Sequence, residues 1–349
     1  MRPRRSLAAA VGLAAASALA LSGCASEAPA ADDATPSAAA SGATDEFPLT
    51  IEHALGETVI EEAPERVATW GWGSTEAAIA AGVFPVAVAE QTWTVGEGNL
   101  LPWVEEAYDE AGVEHPTVLT DAEAGATVPY EEFAAAEPDV IIATYSGLTQ
   151  EQYDLLSEIA PTVAYPETPW QTPWDEIITA TDDALGRSAA GEEKVEEINA
   201  YLAEQAEAHP EFAGKTVAAI VDSPAEGLIY VYRAADPRAG FLEGLGFETA
   251  PAVEELAPDD GEFFYTLSYE ELDKLESDVV VAYTYTEEEA AALPEKKELQ
   301  ALPAVKAGMV VQQVGTVAVS AVSPPTALSV QYPEGMPKLI EALSDTLTN

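Results

Sequence analysis

The side chains that could hold a metal or drive a reaction are spaced too widely to act together. Histidine occurs only at His53, His115 and His209. Capture of a bare zinc or manganese ion takes clustered imidazoles with carboxylates, and these three positions share no element, so direct metal binding is not expected. No G-x-S-x-G turn is present to raise a serine nucleophile, and no Ser/His/Asp set falls at useful places. Gly214-Lys215-Thr216 has the ending of a phosphate-binding loop. However, His209 stands where the first glycine should be, and the run opens a strand rather than a helix. An esterase-like enzyme or an adhesion module stays only as an alternative, with no residues to carry it.

The chemistry that these residue types do support is binding by stacking and by a few hydrogen bonds. All 6 tryptophans fall between Trp70 and Trp174. Trp72, Trp93, Tyr145, Trp170, Tyr232 and Tyr285 are candidate walls for a bulky, partly apolar ligand, of which about half are expected to touch it. Arginine is scarce enough to be informative. Past the first residues it occurs at Arg66, Arg187, Arg233 and Arg238. Arg233 and Arg238 flank a strand-end loop, where a guanidinium can bind carboxylate-like oxygens. Arg238 can alternatively brace its own loop against Asp236.

Those residues need elements to hold them. The pattern predicts strands at 66–70, 85–89, 140–142, 162–165, 216–221, 228–232, 279–281 and 309–314, with helices at 74–81, 150–159, 238–245 and 297–302 between them. Alternation of this kind is the mark of α/β architecture with mainly parallel sheets. In such sheets ligands bind beyond the carboxyl ends of the strands. Trp72 and Tyr145 follow two strands of the first half, and Tyr232 and Tyr285 two of the second, so these loops are expected to face one cleft.

An internal repeat supports a division into two lobes. YEEFAAAEPDVIIATY begins at Tyr130 and YEELDKLESDVVVAYT at Tyr269, an offset of 139, with 7 of 16 positions identical, including Glu137/Glu276 and Asp139/Asp278. Each copy reads as a short helix, a turn and a buried strand. Two copies this far apart imply two lobes of one plan and not a solenoid. Between them, residues 188–208 place Val195, Ile198 and Leu202 on one helical face. About 20 residues at 1.5 Å each span roughly 30 Å, the width of a small domain, so this helix is expected to join the lobes.

The chain ends and the charge complete the picture. Residues 1–23 carry Arg2, Arg4 and Arg5, no acid and a short apolar run, which reads as a secretory signal, too short to span a bilayer. Leu21-Ser22-Gly23-Cys24 resembles the bacterial lipobox, which implies that Cys24 becomes the lipidated first residue of the mature chain. Residues 24–46 form an acidic, Ala-rich tether without a core. The expected organisation is a signal at 1–23, the tether at 24–46, an N-terminal lobe at 47–187, the joining helix at 188–209 and a C-terminal lobe at 210–349. The formal net charge is −48, from 14 basic and 62 acidic residues. Removing the three leader arginines leaves 11 − 62 = −51. A surface of that sign repels nucleic-acid phosphates and anionic membranes, while a hydrophobic content of 48% excludes general disorder.

Together these strings resemble the iron–siderophore substrate-binding lipoproteins of ABC importers (the ferrichrome, ferrioxamine and cobalamin type). The resemblance runs from about residue 48 to the C-terminus through PERVATWGWGSTEAAIAAGVFPVAVA (64–89), residues 129–165, DDALGR (182–187), DPRAGFLEGLGF (236–247) and LSYEELDKLESDVVVAY (267–283). It implies two lobes of parallel sheet joined by one long helix, with no catalysis and no cofactor. It implies a ferric siderophore bound between the lobes, its iron arriving already chelated. Delivery would be to an ABC permease with its ATPase, from a monomer held on the outer face of the cell membrane by the Cys24 lipid. Cobalamin or haem is the alternative ligand. The strongly acidic field favours a neutral or cationic hydroxamate chelate over a trianionic catecholate. The resemblance also implies one permease-docking carboxylate per lobe: Glu76 in the first, and Asp236 or Glu243 in the second.

Overall fold

The computed structural model describes residues 45–91, 99–121, 125–259 and 261–348. Cys24 and Trp93 lie outside these residues. The N-terminal lobe opens with an antiparallel hairpin, β1 (Leu49–His53) and β2 (Gly56–Ile60). It continues as a five-stranded sheet of β3 (Val67–Thr69), β4 (Ala87–Ala89), β5 (Thr117–Leu119), β6 (Val140–Ile142) and β7 (Thr162–Val163), in the order β5-β4-β3-β6-β7. Every pairing in that sheet is parallel. The strands are short apolar runs because both faces are covered. Ala68, Ile141 and Leu119 pack on one side, and Val67, Val140, Ile142 and Val163 on the other. The crossovers are α1 (Ser74–Ala80), α2 (Pro102–Ala111), α3 (Tyr130–Ala136) and α4 (Gln150–Ser157), and α5 (Trp174–Ala184) follows the last strand.

α6 runs from Ser188 to Ala208, 21 residues, over the stretch where the periodicity predicted a helix. The C-terminal lobe follows, with β8 (Thr216–Ser223), β9 (Leu228–Tyr232), α7 (Pro237–Gly244), β10 (Glu248–Thr249), α8 (Pro251–Leu256), β11 (Phe264–Ser268) and β12 (Val279–Thr284). It closes with α9 (Glu287–Ala292), α10 (Pro303–Lys306), β13 (Val310–Val314), α11 (Thr316–Ser320) and α12 (Met336–Thr348). Its six-stranded sheet has the order β11-β9-β8-β12-β13, and β10 adds to the first residues of β8. The β10, β12 and β13 pairings are parallel, whereas β9 and β11 run antiparallel. Only four residues, 224–227, separate the paired Ser223 and Leu228, which suffices for a hairpin but not for the crossover a parallel neighbour needs.

The repeat has a structural counterpart. β6 lies between β3 and β7, and β12 between β8 and β13. In each copy the shared aspartate ties the start of its strand to the neighbouring one. Asp139 accepts from the backbone N–H of Glu65 and Arg66 at 2.7–3.0 Å, and Asp278 from the N–H of Thr216 at 2.9 Å. The helices differ: the first copy begins with α3, the second with a 3-10 helix at Tyr269–Lys274.

Two apolar seams join the lobes. Ile198 and Leu202 of α6 pack in one cluster with Ala77, Trp174 and Ile178 of the N-terminal lobe and Phe241, Leu242 and Phe247 of the C-terminal lobe. In the second, Leu101, Trp103 and Val104 at the start of α2 meet Ala321 and the partly buried Val317, Leu328 and Tyr332. The Trp103 and Tyr332 rings are 5.2 Å apart, edge to face.

Candidate functional site

On the N-terminal lobe the site is a wall of three rings built by three βα loops, those after β3, β6 and β7. Trp72 follows β3 and Tyr145 follows β6, and the Trp72 N–H donates to the Tyr145 carbonyl at 3.1 Å. Gly71 lies between them with φ +83°, and a Cβ there would overlap that same carbonyl, so only glycine lets the loops meet. Trp170, held at φ +58°, completes the wall. Ring centroids are 6.4 Å apart for Trp72 and Tyr145, and 5.6 Å for Trp170 with each of them. A Cβ on Gly147 would overlap the Trp170 Nε1, so the indole rests directly on that backbone.

Across from it the C-terminal lobe places one ion pair among tyrosines. Asp236 caps α7, accepting from the Arg238 N–H at 2.9 Å, and its other oxygen takes a hydrogen bond from the Arg238 guanidinium. Arg238 also donates from Nε to Ser323 Oγ at 2.7 Å, and its guanidinium lies 3.9 Å over the Tyr232 ring. Tyr232 and Tyr283 stand 5.9 Å apart, edge to face. The lobes are electrostatically in contact here. Burial pushes the Tyr145 phenol well above its ordinary range, and the charges of Asp236 and Arg238, from the opposite lobe, act on it next. Burial likewise raises Tyr232 to about 12. For Arg238, burial works against the charge, but Asp236 and the phenol oxygens more than offset it, so the guanidinium stays protonated.

Trp72, Tyr145, Trp170, Tyr232, Arg238 and Tyr285 are therefore brought to one region, Tyr285 being the most exposed of them at 37%. Tyr283 belongs with them and is absent from the sequence candidates, although it sits on the same strand as Tyr285 and two residues before it. Tyr232 arrives by a different route from the one its position suggested. Because β9 is antiparallel, its last residue does not reach the carboxyl edge of the parallel strands. Val231 pairs with Ile220, so Tyr232 lies level with the middle of β8 and reaches Arg238 across the sheet face.

Three other expectations are corrected. Arg233 faces the opposite side of the sheet. Its guanidinium donates to Glu254 at 3.1 Å and to the Glu262 and Pro258 carbonyls at 3.2 and 3.4 Å, bracing the loop after α8. One residue of strand alternation separates it from Tyr232. Glu76 is only 2% exposed and accepts from Trp103 Nε1 at 3.1 Å, at the second seam. Asp236 is 1% exposed and paired with Arg238. Neither is placed to meet a partner protein, whereas Glu243 is exposed on α7. Of the remaining tryptophans, Trp70 is core, and Trp103 and Trp174 form the seams, Trp174 against Phe241 at 4.8 Å. Among the described residues there is no group of three or more His, Cys, Asp or Glu that could hold a metal ion, and no helix is long and apolar enough to cross a membrane. A void of about 20 Å³ lies between the lobes, lined by Trp72, Gly73, Glu76, Ser320, Pro324 and Thr326 among others.

Two α/β lobes joined by a single long helix, with aromatic rings gathered between them, are the frame of a solute-binding protein. The chain belongs to the periplasmic binding protein family, whose sequence model matches residues 67–313. Among solved structures it is similar to PiaA of Streptococcus pneumoniae TIGR4 in complex with ferrichrome. There identity is 32%, the TM-score is 0.76, and the likeness covers 85% of this chain and 98% of that one. A structure of PiaA from the same organism, described as an iron uptake ABC transporter substrate-binding protein, gives 31% and 0.74 over 86% and 99%. A periplasmic solute binding protein of Mycobacterium smegmatis str. MC2 155 gives 26% and 0.72 over 86% and 98%. No curated protein matches the sequence.

Proposed function

We propose that this protein captures a ferric siderophore between its lobes as the extracytoplasmic binding component of an ABC importer. The observation that carries the reading is the facing of the Trp72–Tyr145–Trp170 wall by the Arg238-centred tyrosines, in a chain 32% identical to a protein solved with ferrichrome. Flat rings bury the organic shell of a chelate, and phenol hydroxyls meet its oxygens, so the iron needs no protein ligand. Trp72, Tyr145, Trp170, Tyr232, Arg238, Tyr283 and Tyr285 are the proposed contacts. Trp93, outside the described residues, follows Gln91, whose side chain donates to the Gly71 carbonyl at 3.4 Å, and is proposed with them.

The proposal extends to a lipid on Cys24, a monomer, and delivery to a permease and its ATPase. Glu243 is the docking carboxylate that its exposure permits. Quenching of tryptophan fluorescence tests the ligand. Titration with ferrichrome or ferrioxamine should quench strongly, because two indoles stand in the wall. Quenching by haem or cobalamin but by no siderophore would replace the reading with the tetrapyrrole one, and quenching by none would sink it.

A further inference from the structure

One ion pair stands at the centre of the site, with the Glu76 carboxyl in the void lining and Glu289 beside Tyr285 at its edges. Tyr145 and Tyr283, from opposite lobes, both feel Asp236 and Arg238, and their remaining electrostatic neighbours are other tyrosines. The other described arginines are engaged elsewhere. Arg66 donates to the Ala136 and Glu137 carbonyls, Arg187 to the Ala81 carbonyl, and Arg233 to Glu254. Among the described arginines Arg238 alone lies at the aromatic site, and because Asp236 pairs with it, the two contribute no net charge.

Resting on the siderophore reading above, we propose that Asp236 sets the ligand charge this protein accepts: by neutralising Arg238 it selects uncharged ferric chelates over polyanionic ones. The geometry makes the neutralisation fixed. Asp236 holds the α7 N-terminus through one oxygen and the guanidinium through the other, while Ser323 and the Tyr232 ring hold the rest of Arg238. Turning the guanidinium toward a ligand anion would strand Asp236, which is 1% exposed, as an unpaired buried charge. A triply negative chelate would therefore meet a carboxylate without a free cation to balance it. An uncharged trihydroxamate complex loses nothing by that arrangement and gains the full aromatic contact.

The test compares dissociation constants for ferrichrome and for a ferric tricatecholate by fluorescence titration of the mature chain, at about 0.05 M and about 0.5 M NaCl. The acidic surface alone repels a trianion at low salt, but that field is screened within about 5 Å at the higher salt, while a buried pair is screened much less. Wild type should therefore still prefer ferrichrome by at least about a hundredfold at high salt. Asp236→Asn keeps the cap and unmasks Arg238, and should move the ratio of the two constants at least about tenfold toward the tricatecholate. A purely structural role would weaken both ligands alike and leave the ratio unmoved, which would overturn the proposal. Equal binding of the two chelates by wild type at high salt would overturn it without recourse to the variant. Failure of both chelates to bind wild type would instead overturn the siderophore reading on which it rests.

Discussion

Gly147 shows how narrowly the binding wall is set. The Trp170 indole occupies the space its side chain would take, and Trp170 itself holds a left-handed backbone conformation, at φ +58°, that a non-glycine residue adopts only under constraint. Gly147→Ala should displace the indole into the cleft. We expect a stability loss of about 1–3 kcal/mol, the usual cost of overpacking, and a quenching amplitude reduced by more than half. Thermal unfolding and titration with ferrichrome measure the two, and an unchanged melting temperature with full quenching would contradict the packing described. At this scale the sequence was informative about residue type and poor about direction. The aromatic candidates within the described residues lie in one region. Arg233 and Arg238 looked equivalent, and only the turn of the chain after β9 sends one to the outer loop and the other to the site.

The junction of α5 and α6 carries a second consequence, at the scale of elements. Asp182 is fully buried in the last turns of α5, and neither of its carboxylate oxygens has a hydrogen-bond partner among the described residues. It faces Gly191 of α6, where a Cβ would come within 2.9 Å of the aspartate's own. Burial, and then the charge of Asp183, push the carboxyl up from 3.8 to about 8, against the pull of Arg187. A carboxyl raised in this way binds its proton more tightly folded than unfolded. Its contribution to stability is complete below pH about 4 and is lost as pH rises to about 8. Asp182→Asn should remove that slope. Its melting temperature should exceed that of wild type at pH about 8.5 and approach it at pH about 5, a difference on the order of a few kcal/mol at the alkaline end. Parallel melting profiles for the two proteins would refute it. The helix itself was legible, because Ile198 and Leu202 repeat at helical spacing. What it packs on was not. The same two residues serve both lobes, a fact set by long-range contacts with Trp174 and Phe241.

For the whole molecule, the two seams limit movement. The α6 cluster and the Trp103–Tyr332 contact flank the aromatic site, and opening the lobes widely would expose both to water, at roughly 25 cal/mol for each Å² of apolar surface. Small-angle scattering should therefore show a radius of gyration that changes by less than about 1 Å on adding ferrichrome, little against a domain-scale radius near 20 Å. A compaction of several ångströms would show that the seams separate in solution. The acidity belongs to this scale too. The net charge is −48 over the whole chain, yet at the centre of the site Arg238 is matched by Asp236.

The sequence by itself determined the α/β class, the paired plan and the aromatic character of the site. These rest on local signals: β-branched runs, helical spacing, a repeat 139 residues apart and the types of the side chains. Tertiary structure alone decided that β9 runs antiparallel, that Glu76 and Asp236 are buried, and that Arg238 is neutralised before any ligand arrives. The physical reason is common to all three. Strand direction, burial and ion pairing depend on which distant segments meet, and no local window of residues contains that information.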